Sequence, residues 1–166
     1  MSQTTYPSYG WQIAHGATTL WENWNGMGSH IHPMFGSVCA WLFRDLAGLK
    51  PVAHDPGFHT VLVDPHPVRG LAWVRAEHTG PFGLIQSAWH WHGQQLALNI
   101  TIPPASAAFI TLPGADHDMV QCNGRPLASG AGGVLCRQRG VGDNATQVVH
   151  VGPGQYQFIY APHNPQ

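Results

Sequence analysis

The sequence is poor in charged residues. Only 9% of its 166 residues are Asp, Glu, Lys or Arg, and its formal net charge is −1; charged residues make up about 25% of an average globular domain. A chain without an excess of Lys and Arg lacks the basic surface that nucleic-acid binding requires. We therefore expect its partners or substrates to be neutral and rich in hydroxyl groups.

The sequence also lacks the patterns of export and of membrane insertion. Its first ten residues, MSQTTYPSYG, contain neither a basic segment nor an apolar run, and a secretory signal peptide needs both. No apolar run approaches the about 20 residues that span a bilayer. We expect a cytoplasmic protein that does not contact a membrane.

Cysteine is scarce, with three residues in the chain. Cys39 lies in an apolar, helix-like run, where we expect a small core residue. Cys122 and Cys136 could pair if the fold brings them together, but three cysteines do not make a disulfide framework. The sequence has no Gly-rich phosphate loop and no Cys-x-x-Cys pair, and we expect no cofactor.

Residues 1–50 show helical periodicity. In SYGWQIAHGATTLWENW the apolar residues recur every three or four positions, but Gly16 weakens the pattern, so we expect a short helix over the second half of this stretch. In PMFGSVCAWLFRDLAGL, Pro33 can begin a second helix and Gly48 can end it. This helix is so apolar that we expect it to be buried on most sides. The two helices predict a helical hairpin over 1–50.

Residues 51–166 change to a period of two. Short runs such as GLIQSAWHWHG, QQLALNITIP and QVVHVGPG are bounded by Gly, Pro, Asn or Asp and come at roughly ten-residue intervals, which is typical of an antiparallel sandwich. We expect about eight strands, with a hairpin turn around Gly93 and Gln94. The predicted fold is mainly β: a helical hairpin followed by an antiparallel β-sandwich over 51–166.

Glu22 is the first candidate for chemistry. It follows Trp21 directly and lies two residues before Trp24. A lone Glu on a helix is commonly a solvated surface residue. The alternative is a functional carboxylate, since aromatic faces commonly stack on sugar rings while sugar hydroxyls meet carboxylates. Nearby His32, just before the second helix, is a candidate hydrogen-bonding group at the rim of a pocket.

Two pairs of histidines could in principle bind a metal ion. His30 and His32 alternate before the second helix, and His90 and His92 alternate in the run WHWH. Two histidines two residues apart on an extended chain lie on the same side, but no third ligand is evident near either pair. The alternative for WHWH is a core face of tryptophans and an exposed face of histidines. We expect no metal site.

Several blocks of the chain closely resemble the carboxyl-terminal end of bacterial-type α-L-rhamnosidases. They run in family order from about Pro7 to Leu112, with a looser match in the last strands. The most specific part is GATTLWE followed by FGSV, WL and DLAG; further blocks are PGFHTVLVDPHPVRGLAWVRAEHTGPFGLIQSAW and LALNITIPPASAAFITLP. The resemblance implies that 1–50 is the last hairpin of a six-hairpin α/α barrel and that 51–166 is the β-sandwich after it.

The resemblance also implies roles for single residues. Glu22 matches the general base that activates water in these inverting hydrolases of terminal α-L-rhamnosides. His32 matches a histidine that contacts the sugar, and Trp21 and Trp24 match the aromatic surroundings of the motif, so all three are candidates for substrate binding.

The family's general acid and its other sugar-gripping residues lie on barrel helices upstream of the matching part, and no acid motif occurs in this chain. We therefore expect half of an inverting pair, inactive as a hydrolase in isolation, in a terminal piece or split subunit whose partner is a barrel-containing chain. The alternative is a stand-alone protein that binds a carbohydrate or another small neutral ligand, or a new catalyst that uses Glu22 and His32, with a homodimer covering its helices. A purely structural sandwich without a ligand is a third possibility.

Overall fold

The chain divides into two compact units, Met1–Trp41 and Leu42–Gln166. The computed structural model describes residues 3–127, 135–139 and 146–163, without the side chains of 117, 135–139 and 146. The fold class is confirmed: a short helical segment precedes two β-sheets. As a domain boundary, the division predicted between 50 and 51 stays a prediction. Among the described residues, no helix is both long enough and apolar enough to cross a membrane.

The first unit contains little regular structure. Its helices are α1 (Tyr9–Ala14), a 3₁₀-helix (Pro33–Ser37) and α2 (Val38–Trp41). Ser8 caps α1, because its Oγ accepts a hydrogen bond from the Trp11 N–H at 3.0 Å. Gly16 follows the helix with φ +87°, in the left-handed region that ends helices and favours glycine.

The helix predicted over the second half of the first stretch is therefore wrong. The helix occupies the first half, and Glu22 lies in a loop. Ser8 is a strong cap that favours an early start, and Gly16 stops the helix before it reaches the tryptophans. The apolar spacing after Gly16 does not form a helix here.

The second predicted helix forms as a composite, since α2 is followed by a π-helical turn over Leu42–Leu46 in the second unit. The expectation of burial on most sides is wrong for several of its side chains. Phe35, Trp41 and Phe43 are 39%, 52% and 44% exposed. Cys39 is exposed rather than in the core, because it lies on a side of this segment that no described residue covers.

The second unit is built from two sheets. Its strands are β1 (Leu49–Pro51), β2 (Thr60–Val63), β3 (Trp73–Gly80), β4 (Gly83–His92), β5 (Gln95–Ile102), β6 (Ala107–Leu112), β7 (Gln121–Cys122), β8 (Arg125–Pro126), β9 (Leu135–Arg139), β10 (Thr146–Val151) and β11 (Gly154–Tyr160), with 3₁₀-turns at Pro56–Phe58 and His117–Met119. One sheet has the order β1-β2-β6-β10-β9 and the other β3-β4-β5-β11-β7-β8.

The strands alternate between core and solvent, as the period of two predicts. Both sheets contribute to a single hydrophobic core, whose largest fully buried side chains include Trp89, Tyr160 and Phe158. The hairpin turn at Gly93 and Gln94 is confirmed, since His92 pairs with Gln95. The sandwich is not wholly antiparallel, because β2 and β6 pair in parallel.

The segment that enters the sandwich is attached to its core by buried hydrogen bonds. The Trp89 Nε1–H donates to the Leu46 carbonyl at 2.8 Å, and the Ser87 hydroxyl donates to the Ala47 carbonyl at 2.7 Å. Gly48, with φ +81°, lies so close to the chain at Pro65 that a Cβ there would be 2.3 Å from the Pro65 nitrogen. Only glycine fits this contact without a shift of the backbone.

Candidate functional site

The residues around Glu22 form a loop closed by two facing stretches of backbone. The Glu22 N–H donates to the Ser29 carbonyl at 2.8 Å, and the His32 N–H donates to the Leu20 carbonyl at 2.9 Å. The Thr19 hydroxyl donates to the His30 carbonyl. These bonds hold 19–22 beside 29–32 although neither stretch is a regular strand, and they place Glu22 and His32 on opposite sides of the same loop.

The Glu22 carboxylate is held by one oxygen. Its Oε2 accepts a hydrogen bond from the Ser29 N–H at 2.9 Å. Gly28, with φ +84°, comes so close that a Cβ there would lie 2.6 Å from this Oε2. The side chain is exposed, and within the described part of the chain no hydrogen bond engages Oε1. The carboxylate is thus fixed in position and keeps one oxygen open.

Each of the two tryptophans contacts another ring. Trp21 is half-buried and stacks on His30, with ring centroids 4.8 Å apart and planes 20° apart. Trp24 is 40% exposed and meets Tyr9 edge-on at 5.2 Å. Trp21 therefore helps to shape the loop, while Trp24 keeps part of its indole open to solvent.

His32 is half-buried and stacks on Phe35 at 5.1 Å between ring centroids. Its Nε2 lies 3.1 Å from the Met34 sulfur. A thioether is a weak hydrogen-bond acceptor, so the imidazole can exchange this partner for a hydroxyl group. No hydrogen bond joins Glu22 and His32 among the described residues.

Three residues that support the loop were missed in the sequence. The Ser29 N–H donates to the carboxylate, and Gly28 lets the backbone lie close to it. Gln12, which is 4% exposed, donates its Nε2–H to the Asn23 carbonyl at 3.2 Å. The closely spaced glycines of NGMGS were the available signal, since glycine permits a positive φ and a close approach of the backbone. Nothing in the sequence pattern distinguishes Gln12.

No group of three or more potential metal ligands lies together in the described ranges. His90 and His92 lie on the outer side of β4, with ring centroids 4.3 Å apart, while Trp89 points into the core at 0% exposure. The prediction that WHWH divides into a tryptophan face and a histidine face is confirmed for these three residues.

Two known protein domains match this chain. The bacterial alpha-L-rhamnosidase 6 hairpin glycosidase domain matches residues 1–46, and the bacterial alpha-L-rhamnosidase C-terminal domain matches residues 48–125. The two matches follow each other along the chain in the order in which the resemblance predicted them. The chain belongs to the bacterial alpha-L-rhamnosidase family and matches its carboxyl-terminal part.

Individual alpha-L-rhamnosidases support this assignment. The chain is 26% identical over 165 residues to an enzyme of Formosa agariphila, with 93% of the chain and 17% of the relative covered. It is 29% identical over 132 residues to one of Streptomyces avermitilis, with 73% of the chain and 13% of the relative covered. The chain thus spans less than a fifth of the length of either rhamnosidase.

Solved structures of alpha-L-rhamnosidases show the same fold. The structure from Dictyoglumus thermophilum matches 97% of the chain and 18% of its own length, with a TM-score of 0.76 and 31% identity. The Streptomyces avermitilis structure, which is complexed with L-rhamnose, matches 95% of the chain and 15% of its own length, with a TM-score of 0.73 and 25% identity. The rhamnosidase fold therefore extends over both units of the chain.

Proposed function

We propose that this chain supplies the general base and part of the sugar-binding surface of an inverting α-L-rhamnosidase. The observation that carries the proposal is the Glu22 carboxylate, whose Oε2 is fixed by the Ser29 N–H while Oε1 stays open to solvent. A base in an inverting hydrolase must hold and deprotonate a water molecule opposite the leaving group. A carboxylate with one anchored and one free oxygen suits this task.

The sugar would lie between the loop's polar and aromatic groups. The exposed part of Trp24 offers an apolar face to the C–H groups of a sugar ring, and Trp21 completes the aromatic surroundings. His32 would exchange its weak Met34 contact for a sugar hydroxyl. Glu22 would then take a proton from water as that water attacks the anomeric carbon.

Only residues 1–46 of this chain match the six-hairpin domain. The general acid would come from the rest of that domain. An inverting pair of carboxyl groups stands about 6.5 to 9.5 Å apart, so the acid must face Glu22 across the sugar. The other barrel helices would supply it, in the same polypeptide or in a partner chain. The 166 residues alone should not hydrolyse rhamnosides.

The barrel would also cover apolar side chains of the first unit. Several of them are more than half exposed: Tyr6, Ile13, Met27, Ile31, Met34 and Trp41. Isolated exposed apolar residues are ordinary on a protein surface, but so many within 36 consecutive positions favour a covering partner. We propose the neighbouring helices of the barrel as that partner.

A chimera tests the proposal. This chain would replace the matching terminal part of the Dictyoglumus thermophilum enzyme, and the release of phenol from an aryl α-L-rhamnoside would be measured. We expect hydrolysis by the chimera and none by the chain alone. Glu22→Gln should lower kcat by about 10² to 10⁴-fold, which is the usual contribution of a general base.

Two glycine variants add a matched control. Gly28→Ala places a Cβ against the Glu22 Oε2 and should lower kcat, whereas Gly16→Ala has a similar φ but meets nothing within 4 Å and should leave kcat unchanged. An active chimera that is insensitive to Glu22→Gln would disprove the role of Glu22. Rhamnoside hydrolysis by the chain alone would instead favour the stand-alone catalyst.

A further inference from the structure

The outer face of the six-stranded sheet has an unusual composition. Along β4, Ile85, Ser87 and Trp89 are buried, and because side chains alternate across a strand, Gln86 and His90 point outward. The same alternation brings amide, imidazole and indole groups from four neighbouring strands to this outer face, where Lys would be the ordinary residue.

The strand register arranges these outward residues in three rows that cross β3, β4, β5 and β11. The rows are Trp73, His90, Ala97 and Ile159; then Arg75, Ala88, Asn99 and Gln157; and then Glu77, Gln86, Thr101 and Gln155. Four strands at the usual spacing of about 4.8 Å span about 14 Å. This outer sheet face, defined by the three rows, is larger than a single sugar ring.

Side chains of different size and exposure lie next to each other on the outer sheet face. Ala88 lies in the middle row beside Asn99, and Ala97 lies in the first row, where its neighbours cover it to 3% exposure. Trp73 stands at one edge with 67% of its surface exposed, and Gln157 stands exposed on the far side. The outer sheet face thus offers an exposed indole on its edge strand and an exposed amide on the far side.

The amide groups of the outer sheet face are neutral and have capacity for further hydrogen bonds. Gln157 donates its Nε2–H to the Asn99 Oδ1 at 3.0 Å; in the described part of the chain no hydrogen bond engages the Asn99 amide nitrogen or the Gln157 amide oxygen. Burial and the neighbouring charge of His92 lower the pKa of His90, so its imidazole is neutral near pH 7. Arg75 and Glu77 form an ion pair with each other.

We propose that the outer sheet face binds a neutral oligosaccharide. The indole of Trp73 stacks on one sugar ring, and the amides of Asn99 and Gln157 meet hydroxyl groups of another ring further across the face. A protein partner fits less well, since protein interfaces are centred on apolar and aromatic anchors, and here the exposed indole stands on the edge strand β3. This proposal does not depend on the role proposed for Glu22.

Calorimetric titration of the whole chain tests this site. The probes are cellohexaose, xylohexaose and mannohexaose, each beside its monosaccharide, with tetragalacturonate as an anionic probe. We expect at least one neutral hexaose to bind more tightly than its monosaccharide. Trp73→Ala should weaken that binding by about tenfold, the loss of one stacked aromatic contact, and Asn99→Ala with Gln157→Ala should weaken it further.

Phe109→Ala is the matched control, because Phe109 is also exposed, at 40%, but projects from β6 of the other sheet. It should leave the affinity unchanged. Three results would each overturn the proposal. The chain could bind none of the three hexaoses, the Trp73→Ala variant could bind them as tightly as the unsubstituted chain, or the chain could prefer tetragalacturonate. In an active chimera, Trp73→Ala should not change hydrolysis of a small aryl rhamnoside, so the two proposals can fail separately.

Discussion

The two units of the chain treat their apolar side chains in opposite ways. In the second unit Trp89 and Phe158 are 0% exposed and Tyr160 is 2% exposed, within one core that both sheets share. In the first unit Ile13 and Ile31 are 70% and 80% exposed. The sandwich closes its own core, whereas the first unit leaves comparable side chains open.

The first unit keeps its shape mainly by local hydrogen bonds. Ser8 caps α1, the Ser29 N–H holds Glu22, and Gln12 donates to the Asn23 carbonyl. Bonds of this kind contribute about 1 kcal/mol each, while burial of a large apolar side chain contributes about 1.5 to 3 kcal/mol. Regions with few buried apolar contacts open at lower free energy, so the two units should respond differently to the same type of substitution.

Removing one tryptophan from each unit should give the largest difference. Trp89→Ala removes a fully buried indole and the hydrogen bond to the Leu46 carbonyl, and should lower the free energy of unfolding by about 3 to 5 kcal/mol. Trp24→Ala removes an indole that is 40% exposed and should cost less than about 1 kcal/mol. Urea denaturation followed by circular dichroism measures both. Similar losses in the two variants would contradict the comparison.

The sequence predicted the sandwich better than the first unit, for a physical reason. In β4 and β5 a period of two coincides with burial on one face, and the turn at Gly93 is marked by a glycine. Because the sandwich closes its core, the apolar residues that alternate along each strand are the ones that are buried. The parallel pairing of β2 with β6 could not be predicted from a local pattern, because the paired residues lie 47 positions apart in the sequence.

In the first unit the spacing of apolar residues was a poor guide. The apolar residues after Gly16 that suggested a helix through Trp21 and Trp24 lie in a loop, because Ser8 and Gly16 set the ends of α1. Cys39 was expected in a core that the described residues do not form around it. Glu22, His32, Trp21 and Trp24 were found as candidates. The glycines of NGMGS indicate a close approach of the backbone, but they do not show that Ser29 and Gly28 meet the Glu22 carboxylate.

Replacing each of two glycines with nearly the same backbone conformation by alanine should give the next largest difference in stability. Gly48 has φ +81° and Gly16 has φ +87°, so Ala at either position carries the left-handed penalty of about 1 to 2 kcal/mol. At Gly48 the new Cβ would also press on Pro65, whereas at Gly16 it meets nothing within 4 Å. At Gly48 this crowding should lower the free energy of unfolding by about a further 1 to 3 kcal/mol. Urea midpoints should therefore fall further for Gly48→Ala, and equal shifts would argue against close contact at Gly48.

Replacing each of two tyrosines of the sandwich by phenylalanine should give the smallest change in stability. The pair tests whether a buried hydroxyl group lacks a hydrogen-bond partner. The buried Tyr160 hydroxyl has no hydrogen-bond partner in the described part of the chain, whereas the Tyr156 hydroxyl donates to the Gly152 carbonyl at 3.1 Å. An unpaired buried hydroxyl carries a desolvation cost. Tyr160→Phe should therefore raise the free energy of unfolding by about 1 kcal/mol, and Tyr156→Phe should lower it by about as much.

The pH dependence of unfolding separates the Tyr160 effect from a change in packing. Burial raises the pKa of Tyr160 in the folded chain far above its usual value of 10.0, so above about pH 10 the unfolded chain loses this proton while the folded chain keeps it. Stability must then fall as the pH rises. Urea midpoints at pH 8 and pH 11 should differ less for Tyr160→Phe than for the unsubstituted chain. If the urea midpoint falls equally from pH 8 to pH 11 in the variant and in the unsubstituted chain, the Tyr160 hydroxyl is accessible to water. The core of the sandwich would then be less completely buried than the contrast with the first unit assumes.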